Sequence, residues 1–183
     1  MWRIIPLHYF SLSVFKGDLL KSNSLQISEY WRFETMEPAF KLASASSIET
    51  LLKLMSEFYA HEQLSFDEQA ARSALTLILN HDSYGQIHLI YVDKEIVGYI
   101  VITFGFSLEY RGRDAFVDEF YIQEKYRGQG IGKQGLQLAE KICQEQGVQA
   151  LHLEVERENI NAQAVYRKAG FIDSDRYLLT KWL

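Results

Sequence analysis

The sequence predicts an α/β fold of the α+β kind, in which a mixed, mostly antiparallel central sheet carries helices on both faces. Three observations support this prediction. "GQIHLIYVDKEIVGYIVITF" (85–104) contains two β-rich runs around Asp93-Lys94, which is the pattern of a hairpin. "AFVDEFYI" (115–122) and "ALHLEV" (150–155) flank a helical segment, and strands joined in this way run parallel. Two amphipathic helical segments precede the hairpin and supply a further layer.

The elements at the amino end are predicted from capping signals and periodicity. "FKLAS" (40–44) reads as a short strand. Ser46 to Glu49 and Ser65 to Glu68 each match a capping box, with serine at the N-cap and glutamate three residues later. Apolar residues recur at helical spacing behind both boxes, so each box should open a helix with one buried face.

The elements at the carboxyl end complete the predicted sheet. The helix after the glycine-rich loop should end at Gly147, in the manner of a C-cap glycine. "NAQAVYRKAG" (161–170) predicts a short helix, and "RYLLTKWL" (176–183) predicts a final strand. Residues 1–35 carry no motif, and we interpret them as an N-terminal arm or as the result of a translation start placed too early. The domain itself is assigned to residues 36–183.

Composition limits the classes of partner and compartment. A chain of 183 residues suits one domain, and a net charge of −5 argues against nucleic acid as the main partner. The lone cysteine, Cys143, favours a reducing compartment and therefore a cytoplasmic location. The chain has no apolar run of the length that a membrane span needs, and its five histidines form no recognisable metal-ligating pattern.

The glycine content of "YRGQGIGKQG" (126–135) indicates that the backbone of this segment has a functional role. Gly128, Gly130 and Gly132 lie between a strand and a helix, where converging N–H groups and the positive end of the helix dipole can hold a phosphate. A tight turn is the alternative. A Walker loop does not fit, since only three residues separate Gly128 from Gly132. A dinucleotide fingerprint is also disfavoured, because its glycines should follow their strand at once.

Two motifs resemble the GCN5-related N-acetyltransferases. "RGQGIG" (127–132) is similar to that family's pyrophosphate loop, Arg/Gln-x-x-Gly-x-Gly/Ala. "ENINAQAVYRKAGF" (158–171) is similar to its Asn-x-x-Ala-x-x-x-Tyr motif followed by Gly-Phe. The resemblance covers about residues 38–183, and "FVDEFYIQEKYRGQGIG" (116–132) resembles the spermidine/spermine acetyltransferase branch in particular.

The resemblance implies acetyl-CoA as co-substrate, without a metal. The pyrophosphate of the cofactor is expected to bind the loop, and its pantetheine arm is expected to lie along a strand edge, where the parallel strand pair splays. Further contacts are expected from the helix predicted at 161–170. The residues implied are, for the strand, Phe120, Tyr121 and Ile122; for the loop, Arg127, Gly128, Gln129, Gly130, Ile131, Gly132 and Lys133; and for the helix, Asn159, Ala162 and Tyr166.

Acetyl transfer to an amine needs a base for the ammonium and an acid for the departing thiolate. The resemblance makes Tyr166 the candidate acid, although a tyrosine on a helix can equally be core. Asp118 and Glu119 are the candidate bases, and alternation puts Asp118 on one face with Phe116 and Phe120 and Glu119 on the other with Val117. We favour Asp118 because an apolar face raises a carboxyl pKa, and a water chain is the alternative. Cys143 falls on a buried stripe and is expected to be core.

The acceptor is expected to be a small cationic amine. Seven acidic residues against two lysines lie between Glu34 and Glu68, and Asp118 and Glu119 add further negative charge. A solvated acidic helix face explains the same pattern without a ligand. A catalytically silent acyl-CoA-binding module and a nicotinamide enzyme are the competing functions. Dimers are frequent in the family that the chain resembles, so a homodimer is a further implied partner state.

Overall fold

The computed structural model describes residues 37–182, so the interpretation of residues 1–35 as an arm lies outside it. Five strands form one sheet, namely β1 (Ala39–Leu42), β2 (Gly85–Val92), β3 (Glu95–Ser107), β4 (Gly112–Ile122) and β5 (Ala150–Leu153). Four helices accompany them, namely α1 (Ile48–His61), α2 (Glu68–Asn80), α3 (Ile131–Glu145) and α4 (Ile160–Lys168). Short 3₁₀ turns precede α1 at Ala45–Ser47 and follow β4 at Glu124–Tyr126.

The strands lie side by side in chain order, and the sheet is mixed as predicted. The three pairs formed by the first four strands are antiparallel, and Asp93 and Lys94 turn the β2–β3 hairpin with positive φ values of 52° and 89°. The β4–β5 pair is parallel, which confirms the predicted crossover through α3. Its pairing ends at Val117 and Leu153, whereas β4 continues to Ile122, so the upper part of β4 has no strand on that side within residues 37–182.

Helices cover both faces of the sheet, as the sequence predicts. On one face α1 and α2 bury Leu51, Leu52 and Leu75 against side chains of β2 and β3. On the other face α3 buries Ala139, Ile142 and Cys143. The strand residues beneath α1 and α2 are Ile87, Leu89, Tyr99 and Val101, and those beneath α3 are Ile100, Ile102, Ala115 and Val117. Apolar burial on two faces is the main stabilising contribution to such a layered domain.

A β-bulge in β4 changes which way its side chains point. Val101 of β3 pairs with Glu119, and the next residue, Ile102, pairs with Val117, so Asp118 is the extra residue. Val117 packs beneath α3 before the bulge, and Phe120 packs there after it. The prediction from strict alternation was therefore wrong: Asp118 does not share an unbroken apolar face with Phe116 and Phe120, and Glu119 does not share a face with Val117.

The two predicted capping boxes are displaced. The 3₁₀ turn before α1 has Ser44 as its N-cap, and the Oγ atom of Ser47 accepts a hydrogen bond from the Ser44 N–H at 3.1 Å. Glu49 instead binds Arg72 of α2, which is a stronger, charge-assisted partner than a backbone N–H. The N-cap of α2 is Asp67, whose carboxylate accepts from the Ala70 N–H at 3.0 Å, and aspartate caps a helix as well as serine does.

The predicted final strand at 176–183 is also wrong for the residues that the structure describes. Residues 171–182 contain no strand, and several of their large side chains are exposed. Strand propensity reports how well a side chain fits a pleated surface, whereas a strand exists only where a neighbour accepts and donates its ladder of hydrogen bonds. The exposed side chains are Ile172, Tyr177, Leu178, Leu179 and Trp182.

Candidate active site

The glycine-rich loop takes backbone conformations that favour glycine. Gly128 has a φ of 76°, and Gly130, the residue that precedes α3, has a φ of 84°. Both values lie in the left-handed region, where a Cβ is disfavoured. A Cβ built on either residue would meet no atom within 4 Å. The glycines are therefore required by the backbone turn and not by crowding, and the space beside them is open.

The amino end of α3 presents backbone donors next to this loop. Gln134 donates its N–H to the carbonyl of Gly130 at 3.2 Å, and the N–H groups of the three residues before it precede the first helical hydrogen bond. The helix dipole adds partial positive charge at the same place. No acidic residue lies in the first turn of α3. This arrangement can hold an anionic group through backbone atoms.

Arg127 links the loop to two neighbouring elements. Its Nε atom donates to the carbonyl of Ile122 at the end of β4, at 2.7 Å. Its Nη1 atom lies 3.1 Å from Nε2 of His61, in the last turn of α1. The guanidinium also lies over the ring of Tyr121, 5.7 Å from the ring centroid. These contacts hold the arginine at the mouth of the loop.

Glu119 is a half-buried carboxylate held at both oxygens. The hydroxyl of Tyr59 donates to Oε1 at 2.8 Å, and the hydroxyl of Tyr99 donates to Oε2 at 2.7 Å. Burial raises the pKa of the Glu119 carboxyl, the two tyrosine hydrogen bonds lower it in part, and the neighbouring charge of Asp118 raises it further. Burial and the Glu119 charge raise the pKa of both tyrosines, so they remain protonated donors at neutral pH.

Asp118 occupies a different environment from Glu119, although the two are adjacent. It lies at the bulge and is exposed. Partial desolvation by the surrounding protein raises the pKa of its carboxyl as well. The sequence analysis favoured Asp118 on the basis of a raised pKa, but the pKa of Glu119 is raised as well. What differs is that only Glu119 of the two is oriented by the pair of tyrosine hydroxyls.

Tyr166 lies on α4 with its side chain partly buried. Its ring makes an edge contact with Phe171, at a centroid distance of 6.1 Å. Burial raises the pKa of the Tyr166 hydroxyl, and the charge of Glu62 at the end of α1 raises it further. Asn159 is the N-cap of α4 and accepts from the Ala162 N–H at 3.1 Å. The Asn-x-x-Ala spacing thus has a structural function here, the start of the helix that carries Tyr166.

The predicted strand residues Phe120, Tyr121 and Ile122 use their side chains for packing. Phe120 and Ile122 pack on the α3 side of the sheet, where Gly135 lets the helix approach. A Cβ at Gly135 would lie 2.4 Å from Cζ of Phe120. Tyr121 packs on the α1 side. The part of this strand that is available for a ligand is its backbone, on the side beyond the end of β5.

Residues at the carboxyl end of α1 interact with four predicted site residues, namely Glu119, Arg127, Tyr121 and Tyr166. Tyr59 binds Glu119, His61 binds Arg127, and Glu62 acts electrostatically on Tyr166. Glu57 accepts from Tyr121 at 3.4 Å and from Gln123 at 2.9 Å. The sequence analysis missed these roles because Tyr59 matched the apolar stripe of α1. Its hydroxyl was the available signal, since a buried tyrosine usually has a hydrogen-bond partner.

Three further observations concern alternatives to this site. Cys143 is buried in the core beneath α3, and burial raises the pKa of its thiol to about 11, so the sulfur stays protonated and is a poor nucleophile. Residues 37–182 contain no group of three or more side chains placed to hold a metal ion. None of the helices described is both long enough and apolar enough to cross a lipid bilayer.

Comparison with known proteins points to one family of enzymes. Residues 48–171 match the model of the acetyltransferase (GNAT) family. The uncharacterized N-acetyltransferase YycN of Bacillus subtilis is 32% identical over 83 residues, which is 45% of this chain and about half (52%) of that relative. The thialysine N-epsilon-acetyltransferase of Bos taurus is 26% identical over 136 residues, covering 67% of this chain and 77% of the relative.

A solved structure gives the same fold. An integron cassette protein from the mobile metagenome of Cole Harbour Salt Marsh is 38% identical, with a TM-score of 0.71 over 79% of this chain and 90% of its own. The family match spans the loop, both candidate bases and the helix that carries Tyr166. The chain therefore belongs to the GNAT family of acetyltransferases and is an acyltransferase.

Proposed function

We propose that this enzyme transfers the acetyl group of acetyl-CoA directly to a primary amine while both substrates are bound. One observation carries the proposal. Glu119, a carboxylate oriented by two tyrosine hydroxyls, lies on the strand that leads into the Gly128–Gly130 loop and the amino end of α3. The strand thus carries a base, and the loop that follows it can bind an anion through its backbone. This combination suits a reaction in which an amine attacks the acyl group of a donor that bears phosphate.

The donor would bind mainly through backbone atoms. The open N–H groups at Gly128 to Lys133 suit the pyrophosphate, and Arg127 adds positive charge at the same end. The pantetheine amides would pair with the backbone of Phe120, Tyr121 and Ile122, as an added strand pairs with a free sheet edge. An N–H of this strand can then stabilise the charge that develops on the thioester oxygen. Asn159, Ala162 and Gln129 would complete the site from α4 and the loop.

The chemistry requires two proton movements. Glu119, directly or through a water, accepts the proton of the bound ammonium, and the free amine nitrogen then attacks the thioester carbonyl carbon. The C–S bond breaks as the C–N bond forms, and Tyr166 donates its hydroxyl proton to the departing sulfur. We assign the base to Glu119 in preference to Asp118 because an oriented carboxylate loses less entropy on accepting a proton in a fixed geometry.

The acceptor that we propose is a small cationic amine. Glu57 lies in α1 and Glu62 directly after it, and Asp118 and Glu119 lie on β4. We expect these carboxylates to border the acceptor site, because a cleft of one sign concentrates ligands of the opposite sign. The bovine relative is named for acetylating the epsilon-amine of thialysine, which is also a cationic acceptor. We further propose a cytoplasmic location, which suits the single buried cysteine.

The central experiment measures thiol release from acetyl-CoA with a panel of amines. Glu119→Gln should lower kcat by about 10²-fold or more, because the loss of a general base costs that much. Glu145→Gln, an exposed glutamate on the far end of α3, is the matched control and should keep normal activity. Normal turnover in Glu119→Gln would contradict the assignment of the base. Binding of acetyl-CoA without transfer to any amine would favour a silent acyl-CoA-binding module.

The same panel tests the acceptor class. Polyamines and other polycationic amines should react with lower KM than neutral or acidic amino acids, and their KM should rise between low and physiological salt because salt screens the attraction. The measurement is KM for each amine at two or three ionic strengths. Preference for acidic or zwitterionic acceptors, with no dependence on salt, would contradict the cationic acceptor and leave the acetyl-CoA reaction standing.

A further inference from the structure

Two tyrosines from different elements meet at one carboxylate. Tyr59 comes from α1 and Tyr99 from β3, and each donates to a different oxygen of Glu119, at 2.8 and 2.7 Å. Tyr99 is fully buried, with no exposed surface. The ring of Tyr59 is held in turn by edge contacts with Phe58 and Phe66, at centroid distances of 5.8 and 5.4 Å. Both hydroxyls are therefore delivered to Glu119 by rings that are fixed by packing.

We propose that Tyr59 and Tyr99 are positioning residues for the acetyl transfer, which hold the Glu119 carboxylate in the orientation in which it accepts the proton of the amine. The inference rests on the proposed function, in which Glu119 is the base. It adds that the base is a three-residue unit assembled from α1, β3 and β4. Neither tyrosine touches the acyl group in this account, and each acts through Glu119.

The hydrogen-bonding capacity of the three groups supports this inference. An ionised carboxylate only accepts, and each of its oxygens has room for more than one donor. With one tyrosine on each oxygen, both can still accept a proton from a water or an ammonium. When Glu119 becomes protonated, the oxygen that carries the proton is a weaker acceptor, so the hydrogen bond from its tyrosine weakens. The pair therefore favours the ionised form that a base requires before each turnover.

The groups that face Glu119 oppose one another in their effect on its titration. Burial raises its pKa and is the largest influence, and the charge of Asp118 on the same strand acts in the same direction. Tyr99 from β3 and Tyr59 from α1 lower the pKa through their hydrogen bonds. Removing one hydroxyl deletes a lowering influence, so the pKa of Glu119 should rise. A base must be deprotonated to act, so the acidic arm of the kcat/KM profile should move to higher pH.

The experiment replaces each hydroxyl without removing the ring. Tyr59→Phe and Tyr99→Phe keep the aromatic packing, and Tyr126→Phe is the matched control because it deletes a tyrosine–glutamate hydrogen bond of 2.6 Å, to Glu95, away from Glu119. Carbon-13 NMR of the glutamate carboxyls would follow the titration of Glu119 in the full-length protein, with Glu119→Gln identifying its signal. The kcat/KM profile would be recorded on the same variants.

We expect the Glu119 titration to move to higher pH in both test variants and to stay in place in Tyr126→Phe. Within the acidic arm, kcat/KM should fall roughly threefold or more, and on the plateau the loss should be smaller, because the loss of a hydrogen bond to a charged group disfavours mainly the charged form. A loss of equal size at every pH, with an unmoved titration, would mean that the tyrosines are merely structural and would overturn the proposal.

Failure of this inference and failure of the proposed function give different results. The NMR titration reports on the tyrosine–glutamate unit whether or not Glu119 is the base. If the titration moves in Tyr59→Phe but Glu119→Gln retains full activity, the hydrogen bonds are real and the positioning role in catalysis is refuted. If Glu119→Gln is inactive and the titration does not move, the base assignment stands and the positioning role is refuted.

Discussion

At the scale of the residue, the distinction between Tyr166 as acid and Tyr166 as core depends on its hydroxyl. The ring packs on Phe171, and burial together with Glu62 raises the pKa of the hydroxyl. A tyrosine with a raised pKa stays protonated at neutral pH, as an acid must before it donates. Packing of the ring and chemistry of the hydroxyl are compatible in one residue, so the two interpretations are separated only by removing the hydroxyl.

Tyr166→Phe should therefore lower kcat by about 10²-fold while the affinity for CoA stays nearly unchanged. Steady-state kinetics and calorimetric titration with CoA give the two numbers. Tyr177→Phe is the control, since Tyr177 is 79% exposed and stacks on Arg157 outside the site. Normal turnover in Tyr166→Phe would show that the thiolate departs without this proton and that Tyr166 serves packing alone.

At the scale of the element, α3 is the helix that joins the anion-binding loop to the core. Its amino end begins at the left-handed Gly130, and its carboxyl end is followed by Gly147, which is also left-handed with a φ of 68°. A Cβ at either glycine would meet no atom within 4 Å. A side chain introduced at Gly130 or at Gly147 would therefore meet the same backbone strain and the same open space, at opposite ends of one helix.

This symmetry gives a matched pair of variants for the loop. Gly130→Asp should lose CoA binding, because the carboxylate faces the same space as the pyrophosphate, whereas Gly147→Asp should retain it. Each should lose a similar stability, about 1–2 kcal/mol, because both put a Cβ into the left-handed region. Melting temperature and CoA titration measure the two effects. Unchanged CoA affinity in a folded Gly130→Asp protein would exclude the loop from the binding site.

At the scale of the whole molecule, residues 37–182 contain two apolar layers on opposite faces of one sheet. The family match begins at residue 48 and ends at residue 171, within that part of the chain. The candidate base, acid and loop all lie inside the matched range. The described domain thus contains the core and every site residue that we propose.

A chain that starts at Met36 should accordingly keep its fold, its CoA affinity and its turnover. The comparison is between the full-length and the shortened protein, by melting temperature, CoA titration and thiol release. The expected change in melting temperature is within about 2 °C, the size of a small surface perturbation. A much larger fall, with loss of CoA binding, would assign residues 1–35 to the domain.

The tertiary structure decided the features that depend on residues far apart in the chain. The Tyr59–Glu119 and His61–Arg127 contacts join residues 60 and 66 positions apart, and local patterns carry no information about such pairs. The bulge at Asp118 is a property of two strands together, and it breaks the alternation that the sequence predicts for β4, so that Val117 and Phe120 face the same side. The unformed strand at 176–182 likewise shows that propensity without a partner does not make a strand.

The sequence by itself determined what is encoded locally. The helical spacing of apolar residues and the strand-like runs of apolar and β-branched residues identified the four helices and the five strands, because such spacing follows from the geometry of each element. The glycines at 128 and 130 could be predicted as a backbone device, since a positive φ has a direct chemical requirement. The family motifs indicated the acyltransferase class. Only the tertiary structure decided that Glu119, and not Asp118, is held by Tyr59 and Tyr99, because the orientation of a side chain is set by the neighbours that the fold brings to it.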